Sequence, residues 1–198
     1  LGSSEGKFRA LALKDGKELR SFNGVVGFVE SIPCADAERV YFGDWGTFFY
    51  ALDKKTGKFL WRWSNGQARG YSPAACQPVL AEGKVFIAAP DRYLTALDAA
   101  TGKEVWRSNY AKGRESIGIS TDRKSIYSKA MQDSLVIFDT KGQKLWSLNL
   151  GFGYEIGPSP TVERDGVIYL ATDKGVVYAV DQQKRQTAWA HKLSNALV

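Results

Sequence analysis

Short apolar runs alternate with turn residues along the whole chain. Val40–Gly43, Val85–Ala89, Ser125–Lys129 and Val167–Thr172 are each followed by a polar turn and a second apolar run that ends in Asp. Runs of about five residues bounded by Gly, Asp or Pro predict short strands of an antiparallel all-β fold. The second run then opens a phrase that occurs four times: YALDKKTGKFLW (Tyr50–Trp61), TALDAATGKEVW (Thr95–Trp106), VIFDTKGQKLW (Val136–Trp146) and YAVDQQKRQTAW (Tyr178–Trp189). Its aspartates, Asp53, Asp98, Asp139 and Asp181, are spaced by 45, 41 and 42 residues. A period in the low forties filled with short strands marks a stacked or radial repeat protein.

One unit reads as four strands. Ser72–Leu80, interrupted by Pro73 and Pro78, predicts a first strand, followed by Val85–Ala89, Tyr93–Asp98 and Glu104–Ser108. The loop Pro90-Asp91-Arg92 and the turn Ala99–Lys103 separate the later strands. Eight residues before Tyr41, Phe86, Ile126 and Ile168 stand Pro33, Pro78, Gly118 and Pro160, so the four units share a backbone course. Proline lacks the N–H that a central strand needs, which makes these positions bulges or strand starts. Ala51, Ala96 and Ala179 recur on one face, where a small residue permits close approach of a neighbouring sheet. Trp61, Trp106, Trp146 and Trp189 are then expected to dock one unit on the next rather than to stack on a ligand, because every unit carries one.

These residues resemble a known repeat. AxDxxTGKxxW is the pattern of quinoprotein-type (PQQ-like) β-propeller blades, and Ala51–Trp61 and Ala96–Trp106 match it fully. The third copy has Ile137 for Ala and a shortened turn, and the fourth has Gln183-Lys184-Arg185 where Thr-Gly-Lys is expected. The family includes pyrroloquinoline-quinone dehydrogenases, the propeller lipoprotein of outer-membrane assembly and many exported proteins. The resemblance covers roughly residues 8–192 and implies a β-propeller of four-stranded antiparallel blades. The expected single propeller region, 1–198, has blades at 24–63, 69–108, 113–148 and 153–192 after a half blade at 8–22. The half blade, whose first two strands are expected to be absent, and Asn195–Val198, read as another first strand, imply an arc of a larger ring. By resemblance that ring has seven or eight blades.

The 198 residues suffice for one well-buried core. Six Trp and nine Tyr suit β-structure. The net charge of +6 comes mostly from lysines in turns, such as Lys54, Lys58, Lys103 and Lys144, which reads as solvated turns and not a nucleic-acid surface. No apolar run is long enough for a transmembrane helix. Two cysteines, Cys34 and Cys76, exclude a disulfide framework and leave one bridge open. They are not the vicinal pair of the quinone dehydrogenases, and no calcium loop stands out. No cofactor and no metal are therefore expected.

Catalytic constellations are scarce. His191 is the single histidine and reads as a surface or packing residue, and zinc would need Cys/His ligands the chain lacks. Glu115 and Glu155 could pair as glycosidase carboxylates only if adjacent blades bring them together. In propellers the interblade segments and the loops between second and third strands share one face. The channel-mouth candidates there are Trp45, Arg69, Tyr71, Asp91, Arg92, Arg114, Glu115, Tyr154 and Glu155. Glu30, Glu115 and Glu155 are expected to pair the arginines. Trp45, flanked by Gly43 and Gly46, recurs in no other unit.

The expectation is a non-enzymatic scaffold or binding module for a protein or small-molecule partner, periplasmic or on the cell surface by family resemblance. Its partner would be a protein or the remainder of the same propeller, with a homodimer as an alternative. The rival readings are an accessory propeller of a larger exported enzyme such as a hydrolase, and a divergent quinone-dependent dehydrogenase.

Overall fold

Each aspartate of the repeated phrase caps its own turn. Asp53 Oδ1 accepts from the N–H and the hydroxyl of Thr56, at 2.6 and 2.7 Å, and Asp98 holds Thr101 in the same way at 2.8 and 2.7 Å. The glycine after each threonine takes the left-handed conformation that closes the hairpin, with φ 74° at Gly57 and 72° at Gly102. In the fourth copy Arg185 takes over that conformation, at φ 54°.

The computed structural model describes residues 1–157 and 159–193. β1 (Phe8–Leu11) and β2 (Glu18–Phe22) form a two-stranded sheet. Four antiparallel meanders of four strands follow. The first is β3 (Cys34–Ala35), β4 (Arg39–Gly43), β5 (Phe48–Asp53) and β6 (Phe59–Ser64). The second is β7 (Val79–Ala81), β8 (Lys84–Ala88), β9 (Leu94–Asp98) and β10 (Glu104–Ser108). The third is β11 (Gly113–Ile119), β12 (Ser125–Ala130), β13 (Gln132–Asp139) and β14 (Lys144–Tyr154). The fourth is β15 (Val162–Arg164), β16 (Val167–Ala171), β17 (Val176–Asp181) and β18 (Gln186–Lys192). β3, β7, β11 and β15 touch one another in succession, so the first strands gather on the inside and the fourth strands lie outward. This is a partial β-propeller, and its apolar core lies between successive blades.

The joints between blades repeat one device. Trp61 pairs across the hairpin with Ala51, Trp106 with Ala96, Trp146 with Ile137 and Trp189 with Ala179, each beside a bulge. From there the indole of Trp61 donates to Ala99 O at 3.2 Å in the next blade, and that of Trp106 to Thr140 O at 3.2 Å. The facing glycines leave room for the rings. A Cβ at Gly102 would lie 2.5 Å from Trp61, and one at Gly142 2.8 Å from Trp106. Trp146 meets the guanidinium of Arg185 at 5.9 Å. Trp189, on the last described blade, is 48% exposed, and β18 is exposed along its length.

The two-stranded sheet uses the same slot with a different residue. Arg20 pairs with Ala10 beside the same bulge, and its Nη2 donates to Lys54 O at 3.0 Å, above Gly57. An arginine thus stands where the other joints have tryptophan.

Two expectations are corrected. Ser72–Leu80 is not one strand: Arg69–Tyr71 and Pro73–Ala75 form 3-10 turns, and only Val79–Ala81 pairs. Pro73 has a preset φ and no N–H, which suits the first turn of a helix and not a ladder. Its carbonyl packs against Gly43, where a Cβ would lie 2.1 Å away. The first two strands of the half blade are not both missing either. Leu1 exchanges two hydrogen bonds with Arg9, at 2.6 and 2.8 Å, and Gly2 bridges Phe8 as Gly43 pairs with Phe49. Leu1–Ser3 therefore runs antiparallel beside β1. Asn195–Val198 lies outside the described residues.

Candidate functional site

Antiparallel meanders place the β4–β5, β8–β9, β12–β13 and β16–β17 loops at one end of the sheets, with the segments that join blades. Hydrogen bonds tie the two sets together. Asn65, after β6, donates to Asp91 Oδ2 at 2.7 Å, and the Glu155 N–H donates to Met131 O at 3.0 Å. All nine channel-mouth candidates belong to this end, but they divide sharply in accessibility.

Four of them, Asp91, Arg114, Glu115 and Glu155, are committed to ion pairs within the fold. The Asp91 side chain is 5% exposed and accepts from Arg107 Nη2 at 2.6 Å, from Asn65 and from the Tyr93 N–H at 3.0 Å. Glu115 is buried at φ 58°, and Arg114 Nε donates to its Oε2 at 3.3 Å. Glu115 Oε1 is buried without a hydrogen-bond partner. Burial pushes the Glu115 carboxyl above its usual range, against the opposing pull of Arg114. Glu155 is buried against the ammonium of Lys129 and also accepts from the Asp173 N–H at 3.2 Å. Its carboxyl is likewise raised by burial, with Lys129 acting the other way.

The expected carboxylate–arginine pairing therefore holds at Glu115 alone. Glu30 instead accepts from the Trp45 indole at 2.7 Å, and the partner of Glu155 is a lysine. Glu115 and Glu155 are held by separate cations, which leaves each carboxylate committed to structure.

The other candidates face outward. Trp45 packs on Phe28, with ring centres 5.8 Å apart, and with Arg69 lines a shallow cavity of about 220 Å³. Tyr71 and Tyr154 are exposed. Arg92 and Tyr154 meet across a larger cleft of about 390 Å³ between the second and third complete blades, which Tyr110, Lys112, Gln132 and Ser134 also line. His191 lies exposed on β18. Cys34 and Cys76 are both free thiols, and burial pushes each up to about 12.

Several residues that organise this end carried no motif. Asp44 is fully buried and accepts five hydrogen bonds, from the N–H groups of Val26, Gly27, Gly46 and Phe48 and from Tyr50 Oη. Lys129 is buried where the other blades have Gly43, Ala88 and Ala171, and its ammonium reaches Gly157 O and Ala171 O in the next blade at 3.2 and 3.1 Å. Only a register alignment of the four units exposes Lys129, as a charge in a column of small residues. What this end offers to solvent is hydrogen-bond donors and aromatic surface.

Comparison with known proteins places this geometry. The family model described as outer membrane protein assembly factor BamB matches residues 4–140 and 131–198. A quinohemoprotein alcohol dehydrogenase of Comamonas testosteroni is 34% identical over 93 residues, covering 44% of this chain and 13% of the dehydrogenase. An outer membrane protein assembly factor BamB of Burkholderia pseudomallei is 26% identical over 133 residues, 67% of this chain and 33% of that protein. The chain thus spans only a fraction of the length of these relatives. Among solved structures, the crystal structure of BamB from Moraxella catarrhalis superposes with a TM-score of 0.75 at 16% identity. That likeness covers 99% of this chain and 69% of the other, and it is one of fold.

Proposed function

We propose a function from one premise: the chain belongs to the family described as outer membrane protein assembly factor BamB. In this reading it is a non-enzymatic propeller scaffold that holds a protein partner of outer-membrane protein assembly against its loop end. It works in the bacterial envelope as an arc of a propeller. The observation that carries the reading is the family match, which runs from residue 4 to residue 198. The fold supports it physically. Joints sealed by Trp61 and Trp106 make a rigid frame, and on a rigid frame loop residues supply specificity. The similarity to the dehydrogenase supports the repeat and not its chemistry, because it reaches 13% of that enzyme.

Site-specific photocrosslinking in the bacterium tests this. A photoreactive amino acid placed at Tyr71, Trp45 or Tyr154 of the protein expressed from its own gene is expected to trap a component of outer-membrane assembly. The same group at Lys55 or Lys141, in turns at the opposite end, is expected to trap none. Equal trapping at both ends, or none at the loop end, would refute the reading.

A further inference from the structure

We propose that the cleft between the second and third complete blades is a binding site for carboxylates carried on an acidic protein segment with aromatic side chains. The proposal rests on the partner-binding reading above and names the chemistry of the partner.

The cleft holds a surplus of positive charge. Arg92 and Lys112 line it, and neither forms an ion pair among the described residues. Three neighbouring acids are already committed, Asp91 to Arg107, Glu115 to Arg114 and Glu155 to Lys129. Asp133, whose Oδ1 accepts from the Gly153 N–H, is the one neighbouring carboxylate without an ion pair among the described residues, and it leaves the cations in excess. Outside the lining, Lys144 Nζ donates to Tyr110 Oη at 2.7 Å and forms no ion pair among the described residues. Forked guanidinium and ammonium donors without an internal acceptor are matched by an oxyanion from outside.

The backbone that carries these charges is fixed. Arg92 and Lys112 have φ 70° and 48°, in the left-handed region, and each N–H is tied into its own turn, to Ala89 O at 3.1 Å and Asn109 O at 3.2 Å. The Lys112 carbonyl also accepts from the Met131 N–H at 3.4 Å, which locks the interblade segment to the third blade. Arg92 is thus set in the cleft by the β8–β9 loop of the second blade and Lys112 by the segment that joins it to the third.

The remaining lining selects the class of ligand. Tyr110 and Tyr154 stand at the rim, 56% and 60% exposed, each with an apolar ring and a hydroxyl. Ala111 and Met131 form a buried floor. Tyrosine, arginine and methionine are the residue types enriched where proteins meet proteins. A volume of about 390 Å³ accepts a few side chains of an inserted segment. Carboxylates meet Arg92 and Lys112 while an aromatic side chain packs between the tyrosines.

The test uses a short fluorescein-labelled peptide of alternating glutamate and tyrosine, titrated with the whole chain by fluorescence anisotropy. A second peptide has glutamine for every glutamate, and inorganic phosphate serves as competitor. The acidic peptide is expected to bind, and the glutamine peptide to bind at least about tenfold more weakly. Arg92→Gln and Lys112→Gln are each expected to weaken binding by about three- to fivefold, and added salt to weaken it further. Both side chains are exposed, so the variants should melt with the parent. The proposal is overturned if the acidic peptide does not bind, if the glutamine peptide binds equally well, or if phosphate displaces the peptide at equal concentration. Unchanged affinity in both variants overturns it too. Crosslinking from Tyr71 or Trp45 that persists in the double variant would leave the partner-binding reading standing while the cleft proposal falls.

Discussion

Truncating Trp61 to alanine tests whether the blades are held by their tryptophans. The side chain is 7% exposed, packs beside Tyr41 and Phe49, and covers Gly102 of the next blade. A ring that buries roughly 150–250 Å² at about 25 cal/mol per Å² contributes roughly 4–6 kcal/mol. Measured Trp-to-Ala losses of about 3–5 kcal/mol agree with that area. The lost N–H adds little, because Ala99 O keeps Tyr41 Oη at 3.1 Å and is not orphaned. Trp61→Phe should therefore recover more than half of the loss. Trp189→Ala is the internal control: its ring is half exposed and packs on Tyr169, so about 1 kcal/mol is expected. For a chain of this size about 3–5 kcal/mol corresponds to a fall in Tm of roughly 6–20 °C. Urea unfolding followed by far-UV circular dichroism, with Tm from calorimetry, reads both variants. Equal losses for Trp61→Ala and Trp189→Ala would refute the docking account. If further blades complete the ring, the Trp189 loss should rise to the Trp61 level in the longer protein.

Gly102→Ala should cost well over about 2 kcal/mol, since it adds a steric clash with Trp61 to left-handed strain, whereas Gly83→Ala, with φ 70° and open space, should cost about 1–2 kcal/mol; paired melts check the difference. Burial raises the Glu115 pKa in the folded state, so its contribution is full below its ordinary 4.5 and is lost as pH rises through the folded value. Glu115→Gln should accordingly equal the parent in acid and exceed it increasingly towards neutral pH, as pH-dependent urea melts would show. Cys76 is fully buried, and both thiols are raised to about 12, so neither should react with a maleimide at neutral pH until urea is added; rapid labelling of the native chain would contradict the packing.

What was legible in the sequence is what the repeat enforces four times over. The Asp-to-Trp phrase carries its own turn chemistry, with Asp98 capping Thr101 and Gly102 closing the hairpin, and so the third and fourth strands are readable locally. The first strands were not, because residues such as Ser72–Leu80 answer to packing across blades: Pro73 fits Gly43 before it fits any ladder. Arg20 escaped because the slot beside Ala10 is set by register and not by residue class. At the loop end the sequence grouped the nine candidates by loop but could not show which of them are buried in ion pairs. Tyr154 and Glu155 are adjacent, yet one is open to solvent and the other buried on Lys129, since β14 ends at Tyr154 and Glu155 is tied back to Met131 O just beyond it. The cleft walls Tyr110 and Lys112 carry no motif, and only the meeting of two blades gives them a role.

The arginine at the first joint gives the arc an optical polarity. That joint is held by apolar packing as the later ones are, with Phe8 stacked on Phe42 at 3.9 Å and Phe22 against Tyr50, but its slot carries the Arg20 guanidinium on Lys54 O in place of an indole. The Trp61 and Trp106 joints should therefore announce their opening through indole emission, while the two-stranded sheet brings no indole of its own to report its release.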